Sequence, residues 1–260
     1  KTTTLTLIGA LTVAGNIAMA SSSTFSMANT AVLTLGGNFS GGKLSFPSSS
    51  TAKIIMNGTA AQYFPQTTTL SGNVGYLDIQ NSYYGAIGNR GVQLLNQVGG
   101  TTHVTINYLY VEPNCIFNAN ATLVEGTGYH ATIGANAIYI SKSTFNFHDN
   151  DVIDPSATLE FTATNQVINL VKPNATNTNI PPNVIFTGTN ITVNAGTSPD
   201  NATIFKVLGN FGVLNTTTAV TFDSKFTEID IGDNFIGNGA MYSGSLPINI
   251  TGSWLNTANY

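Results

Sequence analysis

Apolar residues alternate with Thr, Ser or Asn along most of this chain, as in Leu5/Leu7, Ile17/Met19, Phe25/Met27, Leu44/Phe46, Ile138/Ile140, Phe145/Phe147 and Leu159/Phe161. A period of two sets alternate side chains on one face of a strand, so each pair predicts a short strand with one buried face. The alternation comes in units. Leu11-Thr12-Val13-Ala14-Gly15-Asn16-Ile17 returns twenty-two positions later as Leu33-Thr34-Leu35-Gly36-Gly37-Asn38-Phe39. Each copy reads as a strand, a tight turn and the start of the next strand.

The same grammar recurs at Ile54-Ile55-Met56-Asn57-Gly58, Lys206-Val207-Leu208-Gly209-Asn210-Phe211, Asp230-Ile231-Gly232-Asp233-Asn234-Phe235 and Asn249-Ile250-Thr251-Gly252-Ser253-Trp254. A repeat of about 22 residues suits one turn of a three-sided β-helix. The pattern therefore predicts an all-β protein, a right-handed parallel β-solenoid. At that period the chain would hold about eleven or twelve rungs.

The repeats define the organisation. Residues 1–171 form a β-rich repeat region, less periodic between 61 and 103, where Tyr63, Tyr76, Tyr83, Tyr84 and Arg90 suggest longer loops. Residues 172–182, with Pro173, Pro181 and Pro182 among Asn and Thr, read as a loop, because Pro removes ladder donors and the polar run resists burial. Residues 183–260 resume the strand grammar, either as a separate region or in continuity with the first.

Charge narrows the function. Asp, Glu, Lys and Arg make up 8% of the chain, against about 25% in ordinary soluble proteins, and Arg90 is its single arginine. A net charge of −4 spread so thinly offers no basic track for phosphates, which argues against nucleic acid as a partner. No run of 18 apolar residues predicts a membrane-inserted helix. Lys1, the apolar stretch Leu5 to Val13 and Ala18-Met19-Ala20 imitate a secretory signal, but the spacing of Leu5, Leu7, Leu11, Val13, Ile17 and Met19 fits strands. Lys1 is accordingly expected near the start of a mature chain. The lone Cys115 excludes an internal disulfide framework and reads as a small buried apolar side chain.

Candidate chemistry is sparse. His148-Asp149-Asn150-Asp151-Val152-Ile153-Asp154 is the densest acidic run; Asp149, Asp151 and Asp154 are turn formers or, alternatively, ligands for a calcium ion, the one cofactor to be considered. Glu228 and Asp230 share a strand face, with Asp233 close by, and paired carboxylates can serve glycoside hydrolysis. A lyase or hydrolase acting on acidic sugars needs a base and cationic partners, which one Arg and seven scattered Lys do not provide. His103, His130 and His148 lack zinc-ligand spacing. No catalytic residue is expected, and the chain is read as a non-enzyme.

Asn38, Asn57, Asn120, Asn174, Asn190, Asn201, Asn215 and Asn249 each head an N-x-[ST] triplet. In a chain so rich in Asn, Ser and Thr, chance supplies nearly as many, so glycosylation rests on their turn and loop contexts. Both ends of the chain lack the charges and Pro that normally guard sheet edges: Thr2 to Val13 has neither, and Leu246 to Leu255 has only Pro247. Leu5, Leu7, Leu11, Val13, Ile248, Ile250 and Trp254 are therefore the expected subunit-interface residues.

The runs at residues 11–17, 33–39 and 250–256 resemble the rungs of bacterial surface β-helix proteins, namely autotransporter passenger domains and filamentous haemagglutinin-like adhesins. The low charge, the sequons and the uncharged N-terminal segment are also similar to archaeal thread filaments, whose subunits are glycosylated β-sandwiches joined by donor strands. That second resemblance implies an alternative fold, a pilin-like β-sandwich whose first 20–35 residues complete the next subunit. Both resemblances imply an extracellular, cell-surface structural subunit of a filament or adhesin. Its partners would be identical copies in a homopolymer, with surface glycans or other cells as targets. The alternative function is a carbohydrate-binding or carbohydrate-active β-helix, with Tyr83, Tyr84 or Trp254 as a stacking platform.

Overall fold

The structure, a computed structural model, describes residues 2–47, 51–65, 69–86, 89–95, 104–120, 123–142, 150–162, 164–165, 167–169, 180–194, 204–214, 219–237, 240–242 and 245–256. Among them the chain is all-β, without helix, and its parallel sheets stack as a β-solenoid, about nine turns in total. The chain divides into two compact units, Lys1–Gly134 and Ala135–Tyr260.

In the first unit, one face carries Thr4–Leu7, Ile17–Met27, Phe39–Ser45 and Thr69–Ser71. A second carries Ala10–Val13, Val32–Leu35, Lys53–Met56, Val74–Ile79, Val104–Val111 and Leu123–Ile133, and a third Gln62–Phe64, Val92–Leu94 and Ile116–Asn120. The repeat seen in sequence is a pairing in space: Leu11 lies beside Leu33 and Val13 beside Leu35. The column continues through Ile54, Leu77, Leu109 and Ala131. Alternation sends these side chains inward and their Thr and Lys neighbours outward, so every rung adds apolar residues to one continuous core.

The second unit repeats the plan with aromatic filling. Ile138–Ser141, Thr158–Phe161, Asn183–Phe186, Phe211–Val213, Phe235–Gly237 and Trp254–Asn256 form one face; Val167–Asn169, Ile191–Asn194, Ala219–Phe222 and Ala240–Tyr242 form another; Ile204–Val207, Glu228–Ile231 and Ile248–Ile250 the third. Phe205, Phe211, Phe222 and Phe226 meet mainly edge to face, with Phe205 and Phe222 5.0 Å apart between ring centres. Such pairs add about 0.5–1.5 kcal/mol each beyond the area they bury.

Asparagine links the corners. The Asn38 N–H donates to Asn16 Oδ1 at 2.7 Å, and the Tyr63 N–H donates to Asn38 Oδ1. In the second unit the Asn210, Asn234 and Ser253 N–H groups donate to the side-chain oxygens of Asn183, Asn210 and Asn234. Each bond supplies an acceptor for an N–H that the turn leaves without a backbone partner.

Parallel pairing of this kind corrects one expectation. The β-sandwich alternative fails, because Thr4–Leu7 and Ala10–Val13 do not leave the domain; they pair in parallel with Thr24–Met27 and Val32–Leu35 of their own chain. Within 61–103, the described strands Gln62–Phe64, Val74–Ile79 and Val92–Leu94 each join a face. Its corner is held by Gln62, whose Nε2 donates to the Leu35 and Gly37 carbonyls while Oε1 accepts from the Gly58 N–H and Asn81 Nδ2. About nine turns rather than eleven or twelve arise because some rungs are long: Leu77 finds its partner at Leu109, thirty-two positions on. Of the Pro-rich stretch, residues 172–179 lie outside the described residues.

Candidate functional site

Two places bring chemistry together: the terminal rungs and one outer sheet face. At the first rung, Leu11 is 36% exposed, whereas Leu33, Ile54, Leu77 and Leu109 of the same column are 0% exposed. Leu5 is 53% exposed while its neighbour Phe25 is 1% exposed. Leu7 and Val13 are half-buried. At the last rung, Trp254 is 61% exposed although it pairs with Phe235, 2% exposed and 4.5 Å from it between ring centres. Ile248 and Ile250, half-buried, lie over Ile229 and Ile231, which are fully buried. Among the described residues, the seven interface candidates thus stand in core columns with a paired neighbour on one side.

Backbone groups at these rungs are equally one-sided. Residues of a parallel strand bond alternately to opposite neighbours. Gly9 and Val13 carbonyls accept from Val32 and Gly36, so Ala10, Thr12 and Ala14 turn their N–H and C=O groups away from the rest of the chain. At the other end the Thr251 N–H donates to the Ile231 carbonyl and the Pro247 carbonyl accepts from Ile229, leaving Ile248 and Ile250 to point outward. Ala10–Val13, Ile248–Ile250 and Trp254–Asn256 are the outermost strands of their faces in these units.

The outer face was hidden in the sequence. Lys53, Tyr76, Tyr108 and His130 form one outward column, and Asp78 and Tyr110 stand in the next. Tyr76 and Tyr108 stack at 4.4 Å with ring planes 13° apart, and His130 meets Tyr108 edge-on. Lys53 Nζ is 2.6 Å from Asp78 Oδ2 and 5.9 Å above the Tyr110 ring. Burial, then Tyr108 and Tyr110, push the Tyr76 phenol above its ordinary value. Asp78 is buried and its Oδ1 has no hydrogen-bond partner, so Lys53 is what compensates its charge. The stacked tyrosines spend their faces on one another.

The other candidates are tied into local structure. Asp154 Oδ1 accepts from the Ser156 N–H and Oγ, which holds its carboxyl below the usual carboxylate range. Asp151 is buried, and Asp149 lies outside the described residues, as do His103 and His148. Asn249 Nδ2 donates to both Glu228 Oε1 and Asp230 Oδ1, so that carboxylate pair is bridged by an amide. Tyr84 is 65% exposed with the Arg90 guanidinium 4.4 Å over its ring, and Tyr83 is exposed beside it. Burial, followed by Glu112 and Asp78, raises the Cys115 thiol, which keeps it protonated and unreactive.

Five sequons are described. Asn120 Nδ2 donates to the Leu94 carbonyl, Asn190 Nδ2 to Asn165 Oδ1, and Asn249 to its two carboxylates; Asn38 is a corner acceptor. Asn57 is exposed. Asn174, Asn201 and Asn215 lie outside the described residues. Among the described residues no group of three or more His, Cys, Asp or Glu could hold a metal ion, and no helix is long and apolar enough to cross a membrane. No family model, curated protein or solved structure matches the chain, so its functional reading rests on the residues and geometry above.

Proposed function

We propose that this protein is an extracellular structural subunit of a cell-surface filament or adhesin, a non-enzyme that assembles head to tail through strand pairing at its ends. One observation carries the reading: parallel rungs stack on apolar columns, and the outermost described strands, Ala10–Val13 and Ile248–Ile250, carry neither charge nor Pro. Natural sheets blunt such edges because free N–H and C=O groups recruit other strands. Contact between two different ends propagates into a filament when it does not close into a ring. A surface built from Thr, Ser, Asn and Gly, with 8% charged residues, supports an extracellular setting, and glycans on exposed Asn57 would add hydration.

Negative-stain imaging of the purified chain over a concentration series tests this. Unbranched fibres that lengthen with concentration are expected; monodisperse particles at every concentration would overturn the reading. Carbohydrate binding is the second reading, favoured by the exposed ring of Trp254. It predicts Trp254 fluorescence changes on adding oligosaccharides to dilute monomer, where the structural reading predicts none.

A further inference from the structure

Between the strands Val74–Ile79 and Val92–Leu94 of the first unit the chain makes an excursion, whose described residues are 81–86 and 89–91. Its base is closed. The Gly91 N–H donates to the Tyr83 carbonyl at 2.8 Å, and the Gln62 N–H donates to the Gly91 carbonyl at 2.9 Å. Asn81, fully buried, accepts the Tyr83 N–H on Oδ1 and donates from Nδ2 to the Ala60 carbonyl and to Gln62 Oε1. A Cβ on Gly85 would lie 2.4 Å from the Asn89 carbonyl oxygen and 2.5 Å from Tyr83 Cε1, so the Tyr83 ring lies against the backbone of its own loop. Gly91 has φ +53°, in the region that favours glycine.

This frame presents one ring, one cation and one amide. Tyr84 is 65% exposed with the Arg90 guanidinium 4.4 Å from its ring centre, so Arg90 covers one face and the exposure lies on the other face and the edge. Tyr63 Oη donates to Asn89 Oδ1 at 2.6 Å, which fixes that exposed amide and leaves its Nδ2 as a donor. Between Asp78 and Glu112 the chain has no other Asp, Glu or Lys. Its single arginine therefore stands in a stretch of sequence that supplies no carboxylate of its own. A guanidinium carries five N–H donors in a fork, so it takes a carboxylate alongside the contacts it keeps within the chain.

We infer that Tyr84, Asn89 and Arg90 form a binding site for an acidic saccharide, a pyranose that bears a carboxylate. The carboxylate meets the guanidinium fork at the edge of the ring, where paired N–H groups match its two oxygens. The C–H face of the sugar lies on the open face of Tyr84, and its hydroxyls meet Asn89 Nδ2 and Tyr84 Oη. An acidic peptide matches the charge but leaves the open ring and the amide donor unused. The closed base holds the three side chains in place before a ligand arrives, which lowers the cost of binding. This site takes the ligand type of the second reading above, but it stands apart from Trp254 and takes a narrower class of sugar.

Titration calorimetry on the full chain tests the site with three acidic probes, each set against a neutral counterpart: trigalacturonate against its methyl ester, hyaluronan tetrasaccharide against chitotetraose, and sialyllactose against lactose. At least one acidic probe should bind about tenfold or more tightly than its counterpart, with a margin that shrinks as salt rises. Arg90→Gln abolishes that margin, and Arg90→Lys, which keeps the charge and loses the fork, retains part of it. Tyr84→Ala weakens the acidic probe about tenfold and leaves the melting midpoint unchanged, since the ring already stands in solvent. No binding of any acidic probe, or equal binding of acidic and neutral ones, overturns the inference, as does an acidic probe that binds Tyr84→Ala as tightly as wild type. A tetraglutamate peptide bound as tightly as the best saccharide overturns the saccharide assignment. Neutral saccharides that alone bind, and bind Tyr84→Ala undiminished, overturn this site and uphold the Trp254 reading.

Discussion

Leu11 and Leu33 belong to the same repeat, sit in the same column and adjoin the same corner, yet one is half in water and the other is sealed. The difference is the neighbour on the far side. A buried Leu gains about 1.5–3 kcal/mol from leaving water, and only a rung covered on both sides gains all of it. Phe235 and Trp254 make the same contrast at the other end. A repeat's sequence sets the shape of its rung; its position in the stack sets what the rung contributes.

Mutations that compare column mates break or sharpen this contrast. Phe211→Ala should cost about 3–5 kcal/mol in denaturant unfolding, because Phe211 is fully buried against Phe186 and Phe235, whereas Trp254→Ala should cost well under half of that in the monomer. Leu33→Ala should cost about 2–5 kcal/mol and Leu11→Ala under about 1 kcal/mol, measured below the concentration at which copies meet. Equal costs would mean that Leu11 is covered in the isolated chain.

Smaller effects follow from polar groups. Lys53→Met strands the buried Asp78 carboxylate and should cost about 1–3 kcal/mol, while Lys225→Met, at an exposed turn, should fall within about 0.5 kcal/mol of wild type. Asn210→Ala removes the acceptor for the Asn234 N–H and Nδ2 and should cost about 1–2 kcal/mol, against no measurable loss for Ser253→Ala in the monomer. The smallest effect is a pH dependence at the Asp154 turn. Its folded carboxyl titrates below the ordinary range, so its contribution is present above the unfolded value and fades as pH falls through the folded one. Ser156→Ala should return the Asp154 titration, followed by side-chain NMR, toward the ordinary carboxylate range.

Part of this architecture could be read from the chain. Leu11-Thr12-Val13 and Leu33-Thr34-Leu35 announce both strands and their register, whereas the bond from the Asn38 N–H to Asn16 Oδ1 is seen only in the structure. The outer tyrosine face could not be read. Alternation tells that Tyr76 and Tyr108 point outward, but the excursion between Ile79 and Val104 sets thirty-two positions between them, and no local pattern says that they stack. Lys53 and Asp78 were obscure for the same reason, since their contact is diagonal across two rungs. The lack of charge and Pro in Ala10–Val13 and Ile248–Ile250 could be read directly.

Residue-resolved amide hydrogen exchange, measured on the chain at low and at high concentration, tests the proposed head-to-tail assembly most directly. Head-to-tail completion predicts that Leu33, Leu35 and Phe39 amides exchange slowly under both conditions, while those of Thr12, Ala14 and Asn16 exchange fast when dilute and become protected on concentration. Thr12, Ala14 and Asn16 amides that stay fast in the concentrated sample, or that are already protected in the dilute monomer, would contradict it.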